Sequence, residues 1–228
     1  MKPAFLERKS RVFIVDDHPL VRDGLATLID RQADLAVCGS AADQTSALTE
    51  IARTQPHLAL IDVSLGAGSG IELLKDLKIQ QPELATIVFS MHDEMVYAER
   101  ALRAGARGYV MKSETVTIML QAIRRVLEGG VYLSDKMVAR MASQFTGERS
   151  TASASVERVS QLSDRELEIF RLLGRGLTTA KIGTELHLSM KTVQAYCARA
   201  KEKLGVMTAV DLRRAATLWE DAHAAQVV

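Results

Sequence analysis

Four apolar runs in this chain each end on side chains able to handle charge or a proton. Val12-Phe13-Ile14-Val15 leads into Asp16-Asp17, Leu58-Ala59-Leu60-Ile61 into Asp62, Thr86-Ile87-Val88-Phe89 into Ser90, and Tyr109-Val110-Met111 into Lys112. If these runs are neighbouring parallel strands, their last residues meet at one carboxyl edge, where open α/β sheets place their sites. Three carboxylates crowded together repel one another unless a cation lies among them. Hard oxygen ligands in an open site suit Mg2+, whose shell is completed by waters and phosphate oxygens. A carboxylate held against such an ion is a competent nucleophile towards phosphorus, which makes Asp62 a candidate for an aspartyl-phosphate. Lys112 is then placed to balance charge on the phosphoryl oxygens, and Ser90 to hydrogen-bond one of them. A solvated strand end is the simpler reading of Ser90 or Lys112 taken singly; all five residues at matching strand ends favour the site.

The elements that must carry these residues follow from periodicity. Pro19 suits the first turn of a helix whose face bears Val21, Leu25, Leu28 and Ile29. A short second strand lies at Leu35–Cys38, and a polar-faced helix from about residue 43 to 53 precedes the central strand. Ile71, Leu74 and Leu77 mark a third helix, stopped before Pro82; a fourth runs from about residue 93 to 104. A fifth carries Val116, Met119, Leu120, Ile123, Val126 and Leu127 and ends at Gly129-Gly130. Five strands alternating with five helices predict a doubly wound parallel sheet over residues 10–130, of flavodoxin-like order 2-1-3-4-5.

Beyond Leu133 the texture changes. Residues 134–143 suit a short helix, and Phe145–Ser160 is rich in Ser, Thr, Ala and charge without a sustained period, so residues 131–158 are expected to be a linker. Ser163-Asp164-Arg165-Glu166 is a capping box opening a helix with Leu167, Phe170 and Leu173. Thr178 or Thr179 caps a second helix, the turn His187-Leu188-Ser189 closes it, and a third runs from about Met190 to Leu204. Gly205 stops the third, and Val206 to about Asp221 supplies a fourth. Two helices joined by a three-residue turn, within a four-helix unit at residues 159–228, suggest a helix-turn-helix. Between Ser189 and Leu204 four basic residues stand against one acidic residue, on a chain whose net charge is +1. That local excess favours an anionic partner, although a solvated helix carries such charge too.

No apolar run approaches a membrane span, and Met1–Ser10 lacks the apolar core of a signal peptide. Cys38 and Cys197 fit no metal spacing and read as reduced thiols of a cytoplasmic protein, with packing roles.

Val15-Asp16-Asp17-His18-Pro19, Leu60-Ile61-Asp62, Phe89-Ser90 and Gly108-Tyr109-Val110-Met111-Lys112 resemble the receiver domain of bacterial response regulators. Leu162-Ser163-Asp164-Arg165-Glu166, Gly176-Leu177-Thr178, and the stretch from Thr192-Val193 to Lys203-Leu204-Gly205-Val206 resemble the LuxR-type DNA-binding domain. Together they make the NarL/FixJ architecture of two-component transcription factors. The resemblance implies that Asp62 accepts a phosphoryl group from a histidine kinase. It implies Mg2+ on Asp17, Asp62 and the backbone carbonyl of Ser64, with Asp16 acting through water. Ser90 and Tyr109 would be a switch pair, the hydroxyl moving to the phosphoryl group and the ring following inward. Such a protein has no steady turnover; its only chemistry is its own phosphoryl transfer and slow hydrolysis.

For DNA, the likeness places Lys191, Thr192, Gln194, Ala195, Ala198 and Arg199 on or beside a face entering the major groove. Gln194 suits bidentate reading of adenine, the alanines apolar contact, and Lys191, Arg199 and Lys203 phosphate contacts. A homodimer formed on phosphorylation is expected on paired half-sites, with Val206, Val210 and Trp219 of the last helix at its contact, although Trp219 equally suits packing inside its own domain. Two departures stand out. Gly66-Ala67 replaces the frequent Pro-Gly of the loop after the acceptor, and Ser113 follows the lysine where some receivers have proline. Ser64 and His92 flank the site in position to influence water attack, though a plain loop residue is the simpler reading of His92.

Rival readings fit less well. Gly66-Ala67-Gly68-Ser69-Gly70 follows a strand as a nucleotide loop would, but its spacing is not G-x-G-x-x-G, and Asp62 just upstream repels a pyrophosphate. Phosphatases resembling haloacid dehalogenases need a second acid two residues after the nucleophile, where this chain has Ser64. A receiver that binds DNA without being phosphorylated would not need all five site residues.

Overall fold

The computed structural model describes residues 9–66, 68–145, 158–159 and 161–224, which fall into two compact units divided between residues 146 and 147. The first unit begins β1 (Ser10–Val15), α1 (Pro19–Asp30), β2 (Leu35–Ala41), α2 (Gln44–Thr54), β3 (Leu58–Ile61). A two-residue antiparallel pair, β4 (Ser64–Leu65) and β5 (Gly68–Ser69), interrupts the glycine-rich stretch that reads in sequence as a plain turn. Then come α3 (Gly70–Gln80), β6 (Ala85–Ser90), α4 (Glu94–Ala104), β7 (Gly108–Met111) and α5 (Val116–Leu127).

The large sheet is parallel throughout, in the order β2-β1-β3-β6-β7. Counting its five strands alone, this is the expected 2-1-3-4-5. Every residue of β3 and β6 is buried, as a strand covered on both faces requires. Val12, Ile14, Leu58, Leu60 and Ile87 make one face of the core with Leu25 and Ile29 of α1 and Met119, Ile123 and Val126 of α5. Residues of the other parity, Phe13, Ala59, Ile61 and Val88, are buried towards the opposite face.

Residues 131–145 are not linker. Tyr132 donates its N–H to Arg107 O (2.9 Å) and accepts from Tyr109 N (3.0 Å), adding one rung beyond β7. The next helix, α6 (Asp135–Phe145), lies against α4 with Met137 buried. The sequence pattern missed this attachment because the anchoring residues are too few to show a period. Residues 146–157 of the expected linker lie outside the described residues, as do residue 160, Ala67 of the loop after the acceptor and residues 1–8 of the segment read for a signal peptide.

The second unit holds α7 (Asp164–Gly174), α8 (Thr179–Glu185), α9 (Met190–Leu204) and α10 (Ala209–Ala224). Ser163 and Glu166 form the expected reciprocal capping box, Thr178 rather than Thr179 caps α8, and Ser189 caps α9. Gly205 ends α9 in the left-handed region at φ 69°. The last helix begins after Thr208, whose hydroxyl bonds Asp211, three residues later than its apolar pattern suggests. Leu167, Phe170, Ile182, Val193, Ala200, Leu204, Leu212 and Ala216 are buried, so each helix contributes to the core. Gly174 lets α7 and α10 touch: a Cβ there would stand 2.6 Å from Ala216 O.

Candidate phosphoacceptor site and DNA-binding helix

All five residues flagged at strand ends converge. Asp62 follows β3 and donates its N–H to Val15 O (2.9 Å), which fixes its backbone against the end of β1. Asp62 as a whole is 5% exposed. One carboxylate oxygen accepts from the Ser90 hydroxyl (2.6 Å), and the other from Lys112 Nζ (2.5 Å). The same ammonium reaches Asp16 Oδ2 at 2.6 Å, so Lys112 bridges two buried carboxylates. Asp16 Oδ1 in turn accepts from His18 N (2.9 Å), which orients the turn into α1. Gly70 is required at the start of α3, because a Cβ there would lie 1.8 Å from Asp62 O.

Electrostatics at this edge are under tension. Burial raises the Asp62 carboxyl above the ordinary aspartate value, and the charge and hydrogen bonds of Lys112 and Ser90 only partly oppose this. Burial would lower Lys112, but Asp62 and Asp16 outweigh it and hold the ammonium above its usual value. Lys112 thus stays charged between the carboxylates of Asp16 and Asp62. Oxygens of Asp16, Asp17 and Asp62 and the Nδ1 of His18 all lie within 4.8 Å of one another. Asp17 Oδ1 is buried without a hydrogen-bond partner, though His18 Nδ1 approaches it to 2.7 Å. A buried carboxylate oxygen without a hydrogen-bond partner, among the oxygens of three carboxylates, is what a hard divalent cation would complete, so Asp16, Asp17 and Asp62 fit Mg2+.

Tyr109 points inward. It is buried, donates its hydroxyl to His92 O (2.8 Å), and is held protonated mainly by that burial. Ser90 faces the Asp62 carboxylate, and the Tyr109 ring lies inside. Ser64 Oγ lies 2.9 Å from His92 Nε2, so the two residues flagged as flanking the acceptor are in contact with each other.

On α9, Lys191, Gln194, Ala195 and Ala198 are exposed and fall at i, i+3, i+4 and i+7, one stripe along the helix. Val193, Ala200 and Leu204 are buried on the opposite side. Thr192 is half-buried, with its hydroxyl 2.7 Å from that of the cap residue Ser189. Arg199 and Lys203, expected at phosphates, are exposed and also reach Glu166 of their own domain. Lys203 Nζ donates to Glu166 Oε2 (2.6 Å), and Arg199 approaches Glu166 Oε1 (3.4 Å) while lying over the Tyr196 ring (4.4 Å). Glu166 thereby joins α9 to the start of α7, a role that its capping-box position does not reveal because its partners lie over thirty residues away. Trp219, expected at a dimer contact, is 8% exposed and sits edge-on to Phe170, its ring centroid 6.1 Å away and Arg171 over its face. Val206 is half-buried, while Val210, 76% exposed, and its neighbour Met207 offer apolar surface at the start of α10.

Comparison with known proteins agrees with both halves of this description. Residues 12–124 match the response regulator receiver domain, and residues 160–216 match the bacterial regulatory proteins of the luxR family. The transcriptional activator protein ExaE of Pseudomonas putida is 32% identical over 201 residues, covering 88% of this chain and 92% of that one. The oxygen regulatory protein NreC of Staphylococcus carnosus is 30% identical over 206 residues, covering 89% and 94%. Among solved structures, RcsB from Salmonella enterica serovar Typhimurium, bound to promoter rprA in the presence of phosphomimetic BeF3−, aligns with a TM-score of 0.59. Its identity is 25%, over 92% of this chain and 99% of that one. The chain belongs to the two-component response regulators that join a receiver to a LuxR-type helix-turn-helix, the NarL/FixJ class of DNA-binding transcription regulators. None of its described helices is long and apolar enough to cross a membrane.

Proposed function

We propose that Asp62 takes a phosphoryl group from the phosphohistidine of a kinase and that this controls dimerisation and DNA binding by the second unit. The observation that carries the reading is Lys112 spanning Asp16 and Asp62 while Ser90 holds the other Asp62 oxygen. An Asp62 oxygen attacks phosphorus, the P–N bond breaks, and its electron pair leaves on the donor's imidazole nitrogen, which takes up a proton. Lys112 moves its hydrogen bond from the carboxylate to a phosphoryl oxygen, so positive charge follows the charge being transferred. Ser90 turns its hydroxyl to a second phosphoryl oxygen. Asp17, Asp62 and the Ser64 carbonyl would hold Mg2+, with Asp16 acting through water, and would thereby supply positive charge for the phosphoryl oxygens beside the acids.

Incubation with a small-molecule phosphodonor and Mg2+ should add one phosphoryl mass to the wild-type protein and none to Asp62→Ala. Equal incorporation in both would place the acceptor elsewhere.

DNA is read by the open stripe of α9. Gln194→Ala should relax preference at one base pair, costing about 1–3 kcal/mol of discrimination. Lys191→Ala should weaken all sequences alike and flatten the slope of log affinity against log salt by about one. Titrations on a selected duplex and its single-base variants at several salt concentrations separate the two effects. A uniform loss for Gln194→Ala would remove it from base reading. RcsB has been solved as dimers on DNA, and by analogy two copies of this chain would meet through Val206 and Val210 on paired half-sites. A DNA target and a kinase partner place the work in the cytoplasm.

A further inference from the structure

One carboxylate joins the two helices on the far side of the acceptor loop. Glu94 is the first residue of α4 and only 8% exposed. Its Oε1 accepts from Ser134 N (3.0 Å), and its Oε2 accepts a short bond from the Ser134 hydroxyl. Ser134 is also the residue that starts α6, since its hydroxyl accepts from Met137 N (3.2 Å) and its carbonyl from Val138 N (3.0 Å). The positive ends of two helix dipoles therefore converge on a single buried charge. Arg140 Nη1 adds a bond to the carbonyl of Met95, the residue after Glu94 (2.9 Å), and Met137 of α6 is buried.

This joint is wired to the acceptor. Asp62 holds Ser90, and His92 N points at the Ser90 hydroxyl (3.4 Å). Tyr109 then grips both sides: its hydroxyl holds His92 O, two residues before Glu94, and its N–H holds Tyr132 O, two residues before Ser134. When Ser90 turns to a phosphoryl oxygen, the hydroxyl oxygen that His92 N faces moves with it and draws the loop entering α4, while the strand-like approach to α6 stays tied to β7. A bidentate contact cannot survive relative movement of its two halves.

We propose that Glu94 is a latch holding α6 on the receiver, and that phosphorylation of Asp62 opens it through the Ser90–His92 loop. The proposal rests on the phosphoacceptor reading above. Because α6 is the last described element before the DNA-binding unit, opening frees the chain that connects input to output.

The test is hydrogen exchange by mass spectrometry on the full chain, following peptides of residues 135–145, with phosphoryl incorporation read by intact mass. Wild type with phosphodonor and Mg2+ should exchange about ten times faster in α6 than at rest, as the loss of a charge-assisted bond implies. Glu94→Ala should show that faster exchange without donor while incorporating phosphoryl at the wild-type rate. Ser134→Ala, which leaves α4 untouched, should move the same way even if Glu94→Ala folds poorly. If wild type takes up no phosphoryl group, the underlying reading falls and the proposal with it. If uptake is normal and α6 exchanges at its resting rate, or if Ser134→Ala leaves α6 as protected as wild type, the latch alone is refuted.

Discussion

Lys112→Met should slow phosphoryl uptake at Asp62 by about 10²–10³-fold, the usual loss when one preorganised charge donor is removed from a transition state. The reason lies in its two contacts: the ammonium faces the acceptor oxygen directly and is braced by Asp16. The same substitution should leave Asp16, Asp17 and Asp62 without their internal counter-charge, so the resting receiver loses stability. Added Mg2+ should then raise the thermal midpoint of Lys112→Met more than that of wild type, because the ion no longer competes with an ammonium. Stopped incorporation assays and thermal unfolding across a Mg2+ series measure the two effects. A rate loss under tenfold, less than about 1.4 kcal/mol of barrier, would move the charge stabilisation to another group.

Glu166→Ala should destabilise the DNA-binding unit by about 2–3 kcal/mol, the sum of a lost helix cap and a lost charge-assisted hydrogen bond. Lys203 is partly exposed and can return to water, which keeps the figure below that of a fully buried pair. Burial alone would raise the Glu166 carboxyl, but hydrogen bonds from Lys203 and Ser163 outweigh it and lower it below its ordinary value of 4.5. A carboxyl that binds its proton less tightly when folded stabilises the fold above its unfolded value. That contribution is lost as pH falls below about 4.5 through the lowered folded value. Wild type should therefore lose stability over that interval, and Glu166→Ala should show a flatter profile there. Glu166→Gln retains the capping geometry without the ion pairs and should fall between them. A wild-type profile that stays level below pH 4.5 would show that the ion pairs at Glu166 contribute nothing.

The acceptor edge was legible because its chemistry is written at the ends of apolar runs, and a parallel sheet brings such ends together whatever its loops do. Asp16, Asp62 and Lys112 each follow a strand and Ser90 ends one, and the burial of these strands is set by local pattern. What stayed hidden depends on single side chains meeting across long separations. Glu94 and Ser134 lie forty residues apart with no periodic signal, so residues 131–145 read as linker although Tyr132 and Met137 fasten them to the receiver. Net charge on a helix likewise cannot show that Lys203 and Arg199 also pair with Glu166, which is buried. Trp219 was ambiguous for the same reason: an amphipathic last helix shows an apolar face, but only packing against Phe170 shows what fills it.

The central claim, that Asp62 is the input and α9 the output, is tested most directly by DNA binding on a duplex selected with the phosphorylated protein. Wild type should bind it more tightly with phosphodonor and Mg2+ than without, and Asp62→Ala should bind equally weakly in both. Equal affinity of wild type in every condition would contradict the account, leaving a DNA-binding protein whose receiver chemistry does not control it.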